Sequence, residues 1–106
     1  MNCAANPQPD LILSAGPVTL DRLERFVTVE GIEVHLSPLQ FAVLEVLLLG
    51  QGRTVTHQEI SGKVWRGVPA KLGLIQFYMT QLRKALGTGA SIIHTVRKEG
   101  YVIHTK

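Results

Sequence analysis

The sequence predicts a single α+β domain with strands near both ends and three helices between them. Three observations support this prediction. Apolar residues come in short runs in the first third of the chain, three later segments combine helix caps with helical spacing, and the chain closes with β-rich runs. A chain of 106 residues with 45% hydrophobic residues can bury one modest core, so a second domain is not expected.

Short strands follow an N-terminal segment, residues 1–10, that has no apolar periodicity. We expect this segment to be disordered and the domain to occupy residues 11–106. Around Glu30 and Gly31 the apolar residues alternate with period two, which predicts a hairpin with a positive φ at Gly31. A small antiparallel sheet therefore precedes the helices, built from apolar runs at residues 11–13, 18–20, 26–29 and 32–36.

The first helix is predicted to start at Ser37, because Ser37, Pro38 and Gln40 form a capping box with proline in the first turn. Its body, residues 39–49, is apolar nearly all round apart from Gln40 and Glu45. A helix of this kind must be covered on several sides, so we expect it to be the core helix.

The second helix is predicted to open at Thr56, after one extended step at residues 54–55, with Glu59 completing a second capping box. A loop of residues 66–71, which contains glycine and proline, connects it to the third helix. The inward side of the second helix, which ends near residue 65, is formed by Ile60, Val64 and Trp65.

The third helix is predicted for residues 72–86. Apolar residues at spacings of four, three and four form its inward stripe, which consists of Ile75, Met79, Leu82 and Leu86. The opposite face carries Leu74, Phe77, Thr80, Gln81 and Lys84.

A second hairpin follows the third helix. Its β-rich runs, residues 92–96 and 101–103, bracket a turn formed by Arg97, Lys98, Glu99 and Gly100. Two short helices that brace each other, followed by a hairpin that reaches sideways, are typical of a winged helix. Such an arrangement is suited to gripping a nucleic-acid duplex.

Five tracts of the chain have a characteristic order and spacing. They are Leu20 with Asp21; Ser37, Pro38, Leu39, Gln40 and Phe41 with Leu44 and Leu47; Gly52, Arg53, Val55 and Thr56 with Glu59, Val64 and Trp65; Leu82, Arg83, Lys84, Ala85 and Leu86; and Thr95, Val96, Arg97, Gly100 and Tyr101. Together they resemble the DNA-binding domain of OmpR/PhoB-type response regulators over about residues 18–103. The resemblance implies a winged helix-turn-helix with an N-terminal antiparallel four-stranded sheet, three helices and a C-terminal β-hairpin wing. It also implies sequence-specific binding of double-stranded DNA and transcriptional regulation.

The resemblance implies that the third helix lies in the major groove and the wing in the adjacent minor groove. Gln81 can then pair with adenine through two hydrogen bonds, and Thr80 can donate to a base or touch a thymine methyl group. Arg97 at the wing tip suits a narrow A·T minor groove. The predicted base contacts are Phe77, Thr80, Gln81, Lys84 and Arg97.

Phosphate contacts are implied by the resemblance for His57, Trp65, Arg83 and Thr95. Thr56 joins them because backbone N–H groups at a helix N-terminus can hold a phosphate. In relatives with this architecture, the loop between the second and third helices touches RNA polymerase, and copies of the domain bind head to tail on DNA. The predicted partner contacts are therefore Arg66, Gly67, Val68, Pro69, Ala70, Lys71, Leu72 and Leu74.

The chain also departs from the family pattern. Thr80 and Gln81 stand where the family usually has arginines, and Glu99 adds a negative charge at the wing tip. We therefore expect weaker attraction to phosphates and binding that salt attenuates strongly. An alternative function is a protein-interaction module with weak or no DNA binding, which contacts RNA polymerase or another regulator through Leu72, Leu74 and Phe77.

Several predicted contacts also have structural explanations. Trp65 can be a core residue, and Arg83 and Lys84 can complement the helix dipole. Phe77 can be a groove contact, an anchor for a partner or a residue covered by the loop of residues 66–71.

Other function classes find no support in the sequence. Cys3 is the only cysteine, which excludes an intrachain disulfide and a CxxC metal site and fits a reducing cytoplasm. The longest apolar run, residues 41–49, is far shorter than the roughly 20 residues of a membrane span. Common catalytic motifs are missing, and the net charge of +3 permits a polyanionic partner without requiring one. The missing motifs predict no enzyme activity, and no cofactor is expected. No metal site is predicted either, because His35, His94 and His104 have no carboxylate or cysteine companions at ligand spacing.

Overall fold

The computed structural model describes residues 11–66 and 70–104. The predicted disorder of residues 1–10 lies outside the described residues, and so do the predicted partner contacts Gly67, Val68 and Pro69. Within the described ranges, two antiparallel sheets and three α-helices surround one apolar core.

The first sheet has four strands, each paired antiparallel with the next, so the predicted four-stranded sheet is confirmed. In the turn of the last hairpin, Glu30 has φ 53° and Gly31 has φ 82°, as the commonest two-residue hairpin turn requires. The predicted positive φ at Gly31 is confirmed, and Glu30 shares it. The strands are β1 (Ile12–Ala15), β2 (Val18–Asp21), β3 (Phe26–Val29) and β4 (Ile32–Val34).

The first helix, α1 (Pro38–Leu49), begins with the predicted capping box. The Ser37 hydroxyl accepts from the Gln40 N–H at 3.2 Å, and the Gln40 side chain accepts from the Ser37 N–H at 2.9 Å. The helix packs against β1 and the other two α-helices, which explains why it is apolar on several sides. An ion pair from Arg22 Nε to Glu45 Oε2, 2.7 Å long, fastens the turn between β2 and β3 to α1.

The second helix, α2 (His57–Val64), has only part of its predicted capping box. Thr56 Oγ1 accepts from the Glu59 N–H at 3.0 Å as expected. The Glu59 carboxylate, however, accepts two hydrogen bonds from the Arg53 guanidinium, each 3.0 Å long. The prediction of a reciprocal bond from Glu59 was wrong, because a bidentate charged partner competes better for a carboxylate than a backbone amide does.

The third helix, α3 (Leu72–Leu86), has the predicted bounds, and all four residues of its inward stripe are buried. The 3₁₀ helix Gly87–Ile92 follows it and leads into the wing. Ile92 therefore belongs to this helix and not, as predicted, to the next strand.

The wing sheet has three strands, β5 (Val55–Thr56), β6 (Ile93–Val96) and β7 (Gly100–Ile103), in the order β5-β7-β6. The predicted hairpin is confirmed, while the extended step predicted at residues 54–55 is the strand Val55–Thr56, which pairs with β7. Gly100 is the first residue of β7 and not part of the turn. A Cβ at Gly100 would overlap the Val55 carbonyl oxygen, so the close approach of β5 requires glycine.

Among the helices of residues 11–66 and 70–104, none combines the length and apolar character needed to cross a membrane.

Candidate nucleic-acid interface

The outward face of α3 is open, as predicted. Phe77 is 55% exposed and Leu74 is 40% exposed, while Gln81 is half-buried. Thr80 and Lys84 are also exposed. The inward stripe of α3 makes the helix's contacts with the core. The outward face is therefore accessible to a binding partner.

The Thr80 hydroxyl is already engaged, since Thr80 Oγ1 donates to the Gln76 carbonyl oxygen at 3.0 Å. This bond uses the hydroxyl proton inside the helix, a common arrangement for threonine in helices. In this conformation the proton is not available for the predicted donation to a base, and the predicted contact with a thymine methyl group stays a prediction.

Three aromatic residues form a cluster beside this face. The Tyr78 ring lies 5.4 Å from the Phe77 ring and 5.6 Å from the Trp65 ring, measured between centroids. Trp65 is half-buried against the core, so its structural explanation holds and its phosphate contact stays a prediction. More than half of the Phe77 surface is exposed, which disagrees with one of its three alternatives, that of a residue covered by the loop of residues 66–71.

The N-terminus of α2 is tied to the wing. The His57 N–H donates to the Glu99 carbonyl oxygen at 3.0 Å, and the His57 ring meets the Tyr101 ring edge-on at 5.5 Å. The predicted phosphate seat at Thr56 thus has two of its amides, those of His57 and Glu59, engaged inside the protein. A shallow groove at this position is lined by Thr56, His57, Gln58, Lys98 and Glu99.

Arg83 and Thr95, two predicted phosphate contacts, bond to each other. Arg83 Nη2 donates to Thr95 Oγ1 at 3.0 Å and to the Ile93 carbonyl oxygen at 3.3 Å. The guanidinium carbon of Arg83 also lies 5.7 Å from the centre of the Tyr101 ring. Burial raises the pKa of Tyr101, and the Arg83 charge acts in the opposite direction. Arg83 therefore joins the last turns of α3 to the wing.

The wing tip is a tight turn of exposed charged residues. Arg97, Lys98 and Glu99 are all exposed, Lys98 has φ 66°, and the Glu99 N–H donates to the Val96 carbonyl oxygen at 3.0 Å. Arg97 therefore lies at the tip, where the sequence placed it.

The described part of the connection between α2 and α3 offers charged and apolar side chains to solvent. Arg66, Lys71 and Leu72 are exposed, and Lys71 is the N-cap of α3 without a side-chain cap. The Ala70 N–H donates to Ser61 Oγ at 2.7 Å, which fastens this connection to α2. Sequence reasoning missed Ser61, because a serine in the middle of a helix gives no signal for a partner nine residues away.

Two histidines predicted to be isolated are neighbours. The rings of His94, in β6, and His104, directly after β7, lie 5.4 Å apart and meet edge-on. The prediction overlooked that antiparallel pairing of β6 and β7 brings the two side chains together. Within the described ranges no three histidine, cysteine or acidic side chains are grouped closely enough to hold a metal ion.

Comparison with known proteins shows which family the chain matches. Residues 31–103 match the family described as "Transcriptional regulatory protein, C terminal". The chain belongs to this family. The resemblance to OmpR/PhoB-type regulators is thereby confirmed, and the family is one of transcription regulators rather than a class of enzymes.

Curated relatives of this OmpR/PhoB-type domain are transcriptional regulators. TrcR of Mycobacterium tuberculosis is 32% identical over 89% of the chain and 37% of its own length. PhoB of Pseudomonas aeruginosa, a regulator of the phosphate regulon, is 29% identical over 89% of the chain and 42% of its own length. The chain thus spans about two fifths of the length of these relatives.

A solved structure shows the same fold. The DNA-binding domain of RstA from Klebsiella pneumoniae, in complex with the RstA box, is 28% identical with a TM-score of 0.78. The match covers 90% of the chain and 98% of that domain. The winged helix-turn-helix prediction is confirmed.

Proposed function

We propose that the domain of residues 11–106 binds double-stranded DNA sequence-specifically and regulates transcription. In this proposal α3 enters the major groove and Arg97 enters the adjacent minor groove. The observation that carries it is the open outward face of α3 beside the wing, since the hydrogen bond from Arg83 to Thr95 sets the two elements side by side.

The chemistry of this face fits base recognition. A major groove about 12 Å wide admits an α-helix, whose outward side chains then meet the base edges. The Gln81 amide can donate to adenine N7 and accept from N6, and Lys84 can donate to guanine or to a phosphate. The Arg97 guanidinium would lie in a minor groove narrowed by A·T pairs, where negative potential is strongest.

Phosphate contacts would set the register of the domain on the duplex. We assign them to Thr56, His57, Trp65, Arg83 and Thr95. Arg83 has five N–H donors, so it can hold Thr95 and Ile93 through one nitrogen and still reach a phosphate with others. Lys98 and Glu99 share the groove beside Thr56 with opposite charges, which keeps the electrostatic attraction modest.

The comparison with RstA supports the proposal, because that domain was solved bound to its own DNA box and has the same fold. We further propose that the protein acts in the cytoplasm, that copies bind head to tail on repeated half-sites, and that residues 66–72 and Leu74 contact RNA polymerase. No catalytic residue is part of the proposal.

A second candidate function has one observation in its favour. Leu72, Leu74 and Phe77 are 48%, 40% and 55% exposed, an apolar surface of the kind that can anchor another protein. In this alternative the domain contacts RNA polymerase or another regulator and binds DNA weakly or not at all.

Site selection from a random duplex pool at low salt separates the two candidates. We expect an enriched sequence, with Gln81→Ala removing the preference at one or two adjacent positions and Arg97→Ala removing it in the flanking A·T segment. Each substitution should lower the free-energy difference between binding the preferred base and a wrong base by roughly 1–3 kcal/mol. Ile32→Ala, at a side chain 71% exposed on β4, is the matched control and should leave the selected sequence unchanged. If no sequence is enriched at about 50 mM salt, where phosphate contacts are strong, the DNA-binding proposal fails and the interaction module is favoured.

A further inference from the structure

The middle of the α3 outward face is apolar and carries no cation. From Leu74 to Gln81 the helix contains no lysine or arginine. Bidentate recognition of guanine depends on arginine or lysine, so these turns of the helix lack the usual means of reading G·C pairs. The same turns place Leu74 and Phe77 three residues apart, on one side of the helix, and both are exposed.

Thr80 extends this apolar strip. Because its hydroxyl donates to the Gln76 carbonyl oxygen, Thr80 can offer a base its methyl group and a hydroxyl oxygen that only accepts. Leu74, Phe77 and the Thr80 methyl group then follow one another at intervals of three residues along the helix. The Phe77 ring is supported by its edge-on contact with the Tyr78 ring.

Cations lie at both ends of the strip. Lys71 occupies the N-cap position of α3 and Lys84 lies in its last turn, and both are exposed. The two lysines are thirteen positions apart, which corresponds to about 20 Å along the helix axis. This distance lets the two lysines reach the phosphate strands on either side of a groove about 12 Å wide. An apolar strip flanked in this way matches the major groove of DNA better than the surface of a protein partner.

We infer that α3 reads thymine methyl groups through Leu74, Phe77 and Thr80, so that the domain selects runs of A·T pairs, with Phe77 as a specificity-determining residue. Thymine is the base that offers an apolar group, its 5-methyl, in the major groove. Gln81, four residues after Phe77, would read an adenine in the same run. The inference rests on the proposed function and names the bases that this surface recognises.

The test uses the site selected from the random pool, with each thymine replaced in turn by deoxyuridine, which lacks only the methyl group. For the unaltered protein we expect at least one replacement to weaken binding about fourfold, the effect of losing one buried methyl-sized group. With Phe77→Ala, the affinities for the thymine and deoxyuridine duplexes should become equal at that position. Leu23→Ala, at a side chain 69% exposed on the turn between β2 and β3, should keep the fourfold difference.

A second variant guards against a general loss of structure. Phe77→Leu keeps an apolar side chain at this position and should retain part of the discrimination, with an unchanged thermal unfolding midpoint. Specific binding to a site whose base pairs opposite Leu74, Phe77 and Thr80 are all G·C, or deoxyuridine duplexes that all bind as tightly as the thymine duplex, would overturn the inference while leaving the proposed function intact. A pool without any enriched site would refute both.

Discussion

The helices α1 and α3 are both rich in apolar residues, yet they use them in different ways. In α1 six residues are buried, and Leu49 at the end of the helix is 36% exposed. In α3 four residues are buried, while Leu72, Leu74 and Phe77 remain 40–55% exposed. The core therefore accounts for most apolar residues of α1 but for fewer than half of those of α3.

The N-termini of α1 and α3 also differ, because only that of α1 is stabilised by a side-chain cap. A complete capping box holds the first turn of α1, whereas Lys71 starts α3 without a side-chain cap. Capping and burial both stabilise a fold, and α1 has both. The sequence of α1 thus favours stability throughout the helix. The outward face and first turn of α3, in contrast, carry residues that stability alone does not favour. Such residues are expected where a surface is kept for binding.

The largest expected effect comes from a matched pair of leucines. Leu44→Ala, at a fully buried position of α1, should lower the free energy of unfolding by roughly 2–5 kcal/mol. Leu74→Ala should change it by less than about 1 kcal/mol, because Leu74 is partly exposed and alanine is the better helix former. Urea unfolding monitored by circular dichroism measures both values.

The effects of these two substitutions on DNA binding should have the opposite order to their effects on stability. At a temperature where both variants are folded, Leu74→Ala should weaken binding to the selected duplex and Leu44→Ala should not. Equal destabilisation by the two changes would show that the exposed face of α3 belongs to the core after all.

Exchanging the caps tests the difference at the N-termini. Ser37→Ala removes the hydroxyl that accepts from the Gln40 N–H, while the backbone N–H of residue 37 can still donate to the Gln40 side chain, and the change should cost about 1 kcal/mol of stability. Lys71→Asn supplies a side-chain acceptor where the backbone is already extended, with φ −70° and ψ 153°, and should stabilise by about 0.5–1 kcal/mol. Differential scanning calorimetry gives both shifts. A loss of stability in Lys71→Asn would mean that Lys71 makes a stabilising contact that outweighs a cap.

The smallest effect concerns pH. The Arg53 guanidinium lowers the pKa of Glu59 by hydrogen bonding and charge, with a further contribution from Lys63. A carboxyl with a lowered pKa in the folded state stabilises the protein above its ordinary pKa of about 4.3, and this contribution is lost as the pH falls through the folded-state pKa. Glu59→Gln should therefore flatten the acid side of the stability profile, and Arg53→Ala should flatten it less, because the contribution of Lys63 to the lowered pKa of Glu59 remains. The effect should be small, because the Arg53 side chain is 58% exposed. Unfolding curves between neutral pH and about pH 3 would contradict this account if both variants kept the slope of the unaltered protein.

Local chemistry explains what the sequence could predict. The capping box at Ser37 and the turn at Gly31 depend on neighbouring residues, so their patterns are visible in the chain. The inward and outward faces of α3 follow from helical periodicity, which placed Phe77 and Gln81 opposite the buried stripe. These features supply most of the fold and the outline of the candidate interface.

Contacts between distant residues could not be predicted in the same way. The pairing of β5 with β7 depends on the absence of a side chain at Gly100, and the diversion of Glu59 depends on Arg53, six residues earlier. The bond from Arg83 to Thr95 crosses from a helix to a strand. Each of these needs the tertiary arrangement, because the partners share neither a helical face nor a turn.

Titration of ¹⁵N-labelled protein with the selected duplex tests the central claim most directly. The account predicts that the largest chemical-shift changes fall on the outward face of α3, at Phe77, Thr80 and Gln81, and on Arg97 in the wing, with none on β1. A duplex of scrambled sequence at the same salt concentration should produce smaller changes at the three α3 residues. Changes confined to the first sheet, or no difference between the two duplexes at Gln81 and Phe77, would contradict the claim that this face reads DNA.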